Sequence, residues 1–129
     1  MRSRIWLKTA TIIVAIAAMA LAAIGSFAKS RVREISLVTR DMAFYVEGES
    51  VRNPALRVQR GERLRITVTN ASPGMVHDLA IDAVSATTPL LSAGQAGAVE
   101  FTAPEAPGTY EYRCRPHALM MRGVLTVSD

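Results

Sequence analysis

Apolar and polar residues alternate along most of the chain after residue 33, with the period of two that is typical of half-buried β-strands. The clearest run places Leu64, Ile66 and Val68 on one face and Arg or Thr between them. Similar runs occupy residues 34–39, 56–59, 99–101, 109–114 and 124–127, and Gly, Pro and Asn separate them. About seven short strands with turn signals between them predict an antiparallel β-sandwich with Greek-key connections.

The pattern also predicts how neighbouring segments are connected. Residues 34–39 indicate an edge or half-buried strand, and residues 42–46 are predicted to continue it. The apolar residues of 56–59 and 64–68 are predicted to share a face on either side of a turn at Gly61. Residues 82–96 are weakly patterned, and they predict a short helix or an irregular crossover.

The N-terminal segment differs from the rest of the chain because residues 9–28 carry no charge and follow Arg2, Arg4 and Lys8. A membrane span needs about 20 apolar residues, whereas the core of a signal peptide needs only about 7 to 15. The length favours a retained anchor, but small residues at Ser26 and Ala28 favour cleavage. We predict an apolar helix (signal peptide or transmembrane anchor) at residues 1–28, a linker at 29–33 and a folded domain at 34–129.

The charge of the domain argues against a nucleic-acid partner. The formal net charge is +4, and without Arg2, Arg4 and Lys8 the chain has 12 Lys and Arg against 11 Asp and Glu, a difference of +1. No basic patch is interleaved with aromatic residues, as a strand-stacking surface requires. The arginines of residues 52–65 alternate with apolar residues, which indicates the solvated face of strands.

Candidate chemistry is concentrated near the C-terminus. The chain's only cysteine, Cys114, is followed by His117, Met120 and Met121, and the one other histidine is His77, near the end of a predicted strand. A trigonal His/His/Cys site with a weak axial Met is the arrangement that proteins use for electron-transfer copper. A lone cysteine also argues against a disulfide framework and fits an exported protein whose thiol is held by metal.

The same residues resemble a known family. Residues 114–117 read Cys-Arg-Pro-His and resemble the Cys-x-Pro-His of plastocyanins, pseudoazurins and amicyanins. Residues 117–123 resemble azurin in length and amicyanin in their Met-Arg-Gly close. From about residue 34 to its end the chain therefore resembles the cupredoxins, the blue (type 1) copper proteins. The resemblance implies an all-β, cupredoxin-like fold and one type 1 copper per chain, with His77, Cys114 and His117 as ligands.

Two features depart from the family pattern. Asp78 follows His77 where the family usually has an Asn that ties the two ligand loops together. The adjacent methionines offer two axial ligands, because Met120 has the amicyanin-like offset from His117 and Met121 has the azurin-like offset. In both families the ligand directly precedes a basic residue and Gly at the start of the last strand. We therefore predict Met121 as the axial ligand, with Met120 as the alternative.

The resemblance implies a protein that shuttles single electrons between redox partners. The N-terminal segment and the lone cysteine predict that it does so outside the cytoplasm, in the periplasm or on the extracytoplasmic face of the membrane. With only two histidines and one cysteine for a single copper site, we predict no enzyme activity and no small-molecule substrate. A redox partner is expected to dock at the apolar loop around His117, and an uncleaved N-terminal segment would add contact with the membrane. Two alternatives remain: a periplasmic copper carrier or chaperone, and a small copper subunit of a respiratory complex. Multicopper enzymes are disfavoured, because two histidines are too few for a second copper site.

Overall fold

The computed structural model describes residues 31–129, which form two β-sheets. The strands are, in chain order, β1 (Arg33–Arg40), β2 (Ala43–Val46), β3 (Leu56–Gln59), β4 (Arg63–Asn70), β5 (Ala80–Ile81), β6 (Ala86–Thr87), β7 (Ala96–Thr102), β8 (Gly108–Arg113) and β9 (Arg122–Ser128). One sheet has the order β2-β1-β4-β7 and the other β3-β9-β8-β5-β6. A 3₁₀ turn at Asp82–Val84 connects β5 to β6. The all-β prediction is confirmed for the described residues.

The core lies where the alternating apolar positions of both sheets meet. In β4, Leu64, Ile66 and Val68 are fully buried while Arg63 and Arg65 are exposed, as the period of two predicted. Leu56 and Val58 are also buried, but β3 belongs to the other sheet. The two runs on either side of Gly61 therefore contribute to one core from opposite sheets and do not share the face of a single sheet.

The sheets are mixed, so the prediction of a purely antiparallel sandwich is wrong at two places. Strand β1 pairs in parallel with β4, and β3 pairs in parallel with β9. Parallel neighbours need a crossover between them, and for β1 and β4 the intervening chain includes β3 in the second sheet. Strand β1 is not an edge strand, because it lies between β2 and β4.

Residues 42–46 turn back and do not continue the first strand. Strand β2 pairs antiparallel with β1, with Arg40 opposite Ala43. The two connecting residues, Asp41 and Met42, have φ values of 50° and 55°. Both lie in the left-handed region that a two-residue type I′ hairpin requires. The usual Asn-Gly signal is absent here, so the alternation alone suggested one long strand.

Tyr112 and Gly123 fix the register of the two C-terminal strands where they pair. A Cβ atom on Gly123 would collide with the ring of Tyr112. The Tyr112 hydroxyl donates a hydrogen bond to the carbonyl of Pro54 at 2.6 Å, and the side chain is fully buried. Close packing of Tyr112 against Gly123 therefore sets the register at the start of β9. It also fixes the point at which the preceding loop ends.

The predicted apolar helix of residues 1–28 lies outside the described residues, and the predicted domain boundaries stay predictions. Within residues 31–129 no helix is long and apolar enough to cross a membrane.

Candidate metal centre

His77 is fixed by its backbone in the loop that follows β4. Its N–H donates to the carbonyl of Leu91 at 3.0 Å, and the N–H of Leu91 donates to the carbonyl of His77 at 2.7 Å. The side chain is fully buried, and Nε2 has no hydrogen-bond partner among residues 31–129. The position of the ring thus depends on packing and on this two-way bridge to Leu91.

Cys114 directly follows β8 at the start of a tightly hydrogen-bonded loop. Its N–H donates to the carbonyl of Met121 at 2.9 Å, and the N–H groups of His117 and Met121 donate to the carbonyls of Cys114 and His117 at 3.2 and 2.9 Å. Cys114 and Met121 are fully buried, whereas His117 is half-buried. The loop therefore brings thiol, imidazole and thioether residues to one place.

The donor atoms of three predicted site residues converge. The Sγ of Cys114 lies 3.7 Å from Nδ1 of His77 and 3.6 Å from Nδ1 of His117. All three donor atoms are within 4.8 Å of one another. With the distances of about 2.0 Å from metal to nitrogen and about 2.3 Å from metal to thiolate sulfur that zinc sites show, a trigonal angle gives an S···N separation of about 3.7 Å and a tetrahedral angle about 3.5 Å. The observed cluster fits a single metal ion.

Burial favours the neutral forms of His77 and Cys114 in the metal-free protein. Burial lowers the pKa of His77, and the nearby His117 lowers it further while Asp78 acts in the opposite direction. Burial raises the pKa of the Cys114 thiol, against the effect of the Asp78 and His117 backbone amides. A neutral imidazole is ready to bind metal, but the thiolate needs a compensating cation. This donor chemistry favours a soft, positively charged ion.

Asp78 ties the two ligand loops together although the family's Asn is absent. Its side chain is fully buried, and Oδ1 accepts the backbone N–H of Arg115 at 2.7 Å. Oδ2 accepts Nε–H of Arg115 at 2.6 Å, which makes the pair a salt bridge. The residue after His77 is thereby joined to the residue after Cys114 by two charge-assisted hydrogen bonds.

Two asparagines also hold the loops, and the sequence analysis did not identify either. The buried Asn70 donates through Nδ2 to the carbonyls of Met75 and Leu91, both at 2.8 Å, so it supports both sides of His77. Asn53 donates to the carbonyl of Met120 at 2.9 Å and accepts the N–H of Phe44 at 3.0 Å. The only sequence signal was their position beside predicted turns.

The two candidate axial methionines occupy different environments. Met121 is fully buried, whereas Met120 is 53% exposed. Leu119 is 91% exposed, and Met75 and Val76 are exposed on the facing loop. His117 therefore lies beside exposed apolar residues, which we call the apolar face and define as Met75, Val76, Leu119 and Met120.

Comparisons with known proteins agree with this geometry. Residues 52–128 match the family model described as copper binding proteins, plastocyanin/azurin family. Auracyanin A, a blue copper protein from Chloroflexus aurantiacus, is 23% identical with a TM-score of 0.61, covering 76% of this chain and 100% of that chain. Reduced auracyanin from Roseiflexus castenholzii is 23% identical with a TM-score of 0.61, covering 74% and 97%.

Rusticyanin from Thiobacillus ferrooxidans is 24% identical with a TM-score of 0.58, covering 74% of this chain and 76% of that chain. At these identities the structural likenesses show the fold alone. A search of curated protein sequences finds no match.

Proposed function

Because the chain belongs to the plastocyanin/azurin family of copper-binding proteins, we propose that it carries single electrons between redox partners through one type 1 copper. The proposal is carried by the buried cluster of one thiol sulfur and two imidazole nitrogens. His77, Cys114 and His117 would hold the copper through two imidazole nitrogens and one thiolate sulfur. The burial of Met121, next to the last strand, supports it as the axial ligand in preference to the exposed Met120.

The protein's contribution is to hold the ligands still while the charge of the site changes. Copper in a set of two imidazoles, a thiolate and a weak thioether accepts and returns one electron. His77 is held by Leu91, and the two loops are joined by Asp78. Pro116 has no backbone N–H, so it cannot donate to the Cys114 sulfur. Fewer donors stabilise the thiolate less, which favours the oxidised state.

We propose that a redox partner docks and exchanges electrons at the apolar face. The half-buried ring of His117 connects the buried cluster to a groove lined by Pro116, Ala118 and Leu119. The partner is a redox protein with a complementary apolar surface. Arg113 is paired with Asp82 at 2.7 Å and Arg115 with Asp78 at 2.6 Å, so these cations steer an acidic partner less than two free arginines would.

We further propose that the domain works outside the cytoplasm, exported or anchored by residues 1–28. The support is the uncharged run of residues 9–28 and a single cysteine that forms no disulfide. The mass of the protein's N-terminus, measured after isolation from membranes and from the periplasmic fraction, distinguishes an anchor from a cleaved signal. Purification from the cytoplasm alone, with the segment intact, would refute export.

An optical and EPR spectrum of the oxidised, copper-loaded protein tests the copper assignment. We expect one copper per chain and an intense thiolate-to-copper absorption, which Cys114→Ser abolishes. A protein that binds Cu(I) but shows no such band when oxidised would support copper delivery and contradict electron transfer. Two coppers of equal affinity would contradict a type 1 site.

A further inference from the structure

All four methionines of residues 31–129 lie at the end of the sandwich that carries His117. Met42 is at the tip of the β1–β2 hairpin, Met75 is in the loop between β4 and β5, and Met120 and Met121 are in the loop between β8 and β9. Away from this end, the core consists of aliphatic and aromatic residues. The thioether sulfur of the domain is therefore concentrated next to the proposed copper centre.

Three of these methionines reach solvent. Met75 is 43% exposed and Met120 is 53% exposed, while Met42 is half-buried. Met42 lines two neighbouring grooves: one of about 250 Å³ shared with His117 and Met120, and one of about 160 Å³ shared with Met75. Met42 thus stands between the other two methionines, and one groove leads to the ring of His117.

Apolar packing alone does not explain methionine at these positions. Leucine has nearly the same volume and would supply a similar apolar surface. At Met42, whose φ is 55°, the backbone favours Gly, Asn or Asp. What methionine adds is a soft sulfur donor on a side chain with three rotatable bonds, which lets sulfurs on separate loops converge. Soft thioether ligands select Cu(I).

We propose that Met42, Met75 and Met120 form a surface site that captures Cu(I) and passes it to the buried cluster beside His117; this inference rests on the copper centre proposed above. On transfer, Cu(I) leaves the thioethers and binds the Cys114 sulfur, whose proton goes to water. No electron moves, so no oxidant or reductant is needed. Neutral thioethers in an exposed groove hold Cu(I) more weakly than a buried thiolate does, and the ion therefore moves inward.

Charged groups of both signs lie beside the grooves, and the two arginines among them are engaged by other groups. The guanidinium of Arg52 donates to the carbonyls of Asp41 and Met42 at 2.8 and 2.9 Å. Asp41, on the same turn as Met42, lines the groove that contains Met75. Arg40 lines it too, but its guanidinium lies 3.9 Å from the centre of the Tyr45 ring and donates to the carbonyl of Glu49 at 3.3 Å. Arg40 is thus already engaged by an aromatic ring and a carbonyl.

The direct test is a titration of the reduced, copper-loaded full-length protein, carrying ¹³C-labelled methionine methyl groups, with Cu(I) in the absence of oxygen. We expect the methyl signals of Met42, Met75 and Met120 to shift as one further Cu(I) binds, and that of Met121 to stay unchanged because its site is already filled. If none of the three exposed methionines responds, the proposal is overturned. This measurement needs no variant.

A kinetic test follows the transfer of Cu(I) from a chromophoric chelator to the reduced, copper-free protein. The triple variant M42L/M75L/M120L keeps the apolar surface and is expected to load about tenfold more slowly, because capture at the surface raises the local Cu(I) concentration. Leu119→Ala removes apolar surface from the same face but no sulfur, and should load at the wild-type rate. Equal rates for the triple variant and the wild type would overturn the proposal.

The final intensity of the thiolate-to-copper absorption (the blue band), measured after oxidation, distinguishes a failure of this inference from a failure of the proposed function. A triple variant that loads slowly but reaches the full band supports a surface loading site. Slow loading in Leu119→Ala as well as in the triple variant would show that apolar surface is what matters, and would overturn a thioether site. A wild-type protein that takes up Cu(I) but never develops the band after oxidation would count against the electron-transfer centre and leave the capture site standing.

Discussion

Replacing Asp78 by Ala should destabilise the copper-free protein much more than a surface change does. The substitution removes both hydrogen bonds to Arg115, at 2.7 and 2.6 Å, from a fully buried side chain. Hydrogen bonds to a charged group contribute about 1.5 to 3 kcal/mol each. The Arg115 side chain is 52% exposed, so its Nε–H regains water. We therefore expect a loss of about 2 to 4 kcal/mol, most of it from the unpaired Arg115 backbone amide.

Asp78→Asn is the matched variant, because it keeps an oxygen for the Arg115 amide and loses only the charged contact with Nε–H. We expect it to cost about 1 to 2 kcal/mol. Urea denaturation of both copper-free variants measures the free energy of unfolding without the stabilisation that bound metal adds. For a domain of this size, about 1 kcal/mol corresponds to a fall in Tm of about 4 to 8 °C.

The control is Asp82→Ala, which breaks an ion pair of similar length with Arg113 on an exposed side chain. Surface pairs contribute about 0 to 1 kcal/mol, so this variant should stay close to the wild type. If Asp78→Ala is no more destabilising than Asp82→Ala, then the two hydrogen bonds between Asp78 and Arg115 do not stabilise the ligand loops. In the copper-loaded protein, Asp78→Asn should also raise the reduction potential, because loss of a negative charge disfavours the more positive Cu(II) state.

Three further predictions concern the site and its surroundings. Met121→Leu should raise the reduction potential and change the EPR spectrum, whereas Met120→Leu should do neither; the reverse result would make Met120 the axial ligand. Leu119→Lys should slow electron transfer to a redox partner and leave the optical spectrum unchanged. An unchanged rate of electron transfer would show that the partner docks on another surface. Burial lowers the pKa of His77 from its ordinary 6.5. As the pH falls, the unfolded chain therefore binds a proton at His77 before the folded protein does. The copper-free protein should therefore lose stability as the pH falls below 6.5, by up to about 1.4 kcal/mol per pH unit, and His77→Gln should remove that part of the urea-measured pH dependence.

Local patterns predicted the strands and the type of site, because both are encoded over short stretches of sequence. The alternation around Ile66 follows from one strand with one buried face, and the spacing of Cys114 and His117 follows from one loop. The mixed pairing of the sheets was not predictable in this way. Strand direction depends on where the chain crosses between sheets, and the hairpin at Asp41 and Met42 lacks the residues that usually mark such a turn.

The contacts that position the proposed copper ligands were not predicted from the sequence, for a related reason. Asp78 and Arg115 are 37 residues apart, Asn70 and Leu91 are 21 apart, and Asn53 and Met120 are 67 apart. Each contact is a polar side chain bonded to a distant backbone group, and no periodicity in the sequence records such a pairing. A buried polar group must find a partner, but the identity of that partner depends on the completed fold.

Apolar packing and side chain to backbone hydrogen bonds stabilise different parts of the domain. Apolar packing in the core is non-directional, and it tolerates substitutions that conserve volume. Hydrogen bonds from Asn53, Asn70 and Asp78 are directional, and each fixes a loop backbone at one point. An electron-transfer site needs ligands that move little between oxidation states. It is therefore consistent that the end of the sandwich with His77, Cys114 and His117 is held by side chain to backbone hydrogen bonds, while apolar burial stabilises the strands on which those loops stand.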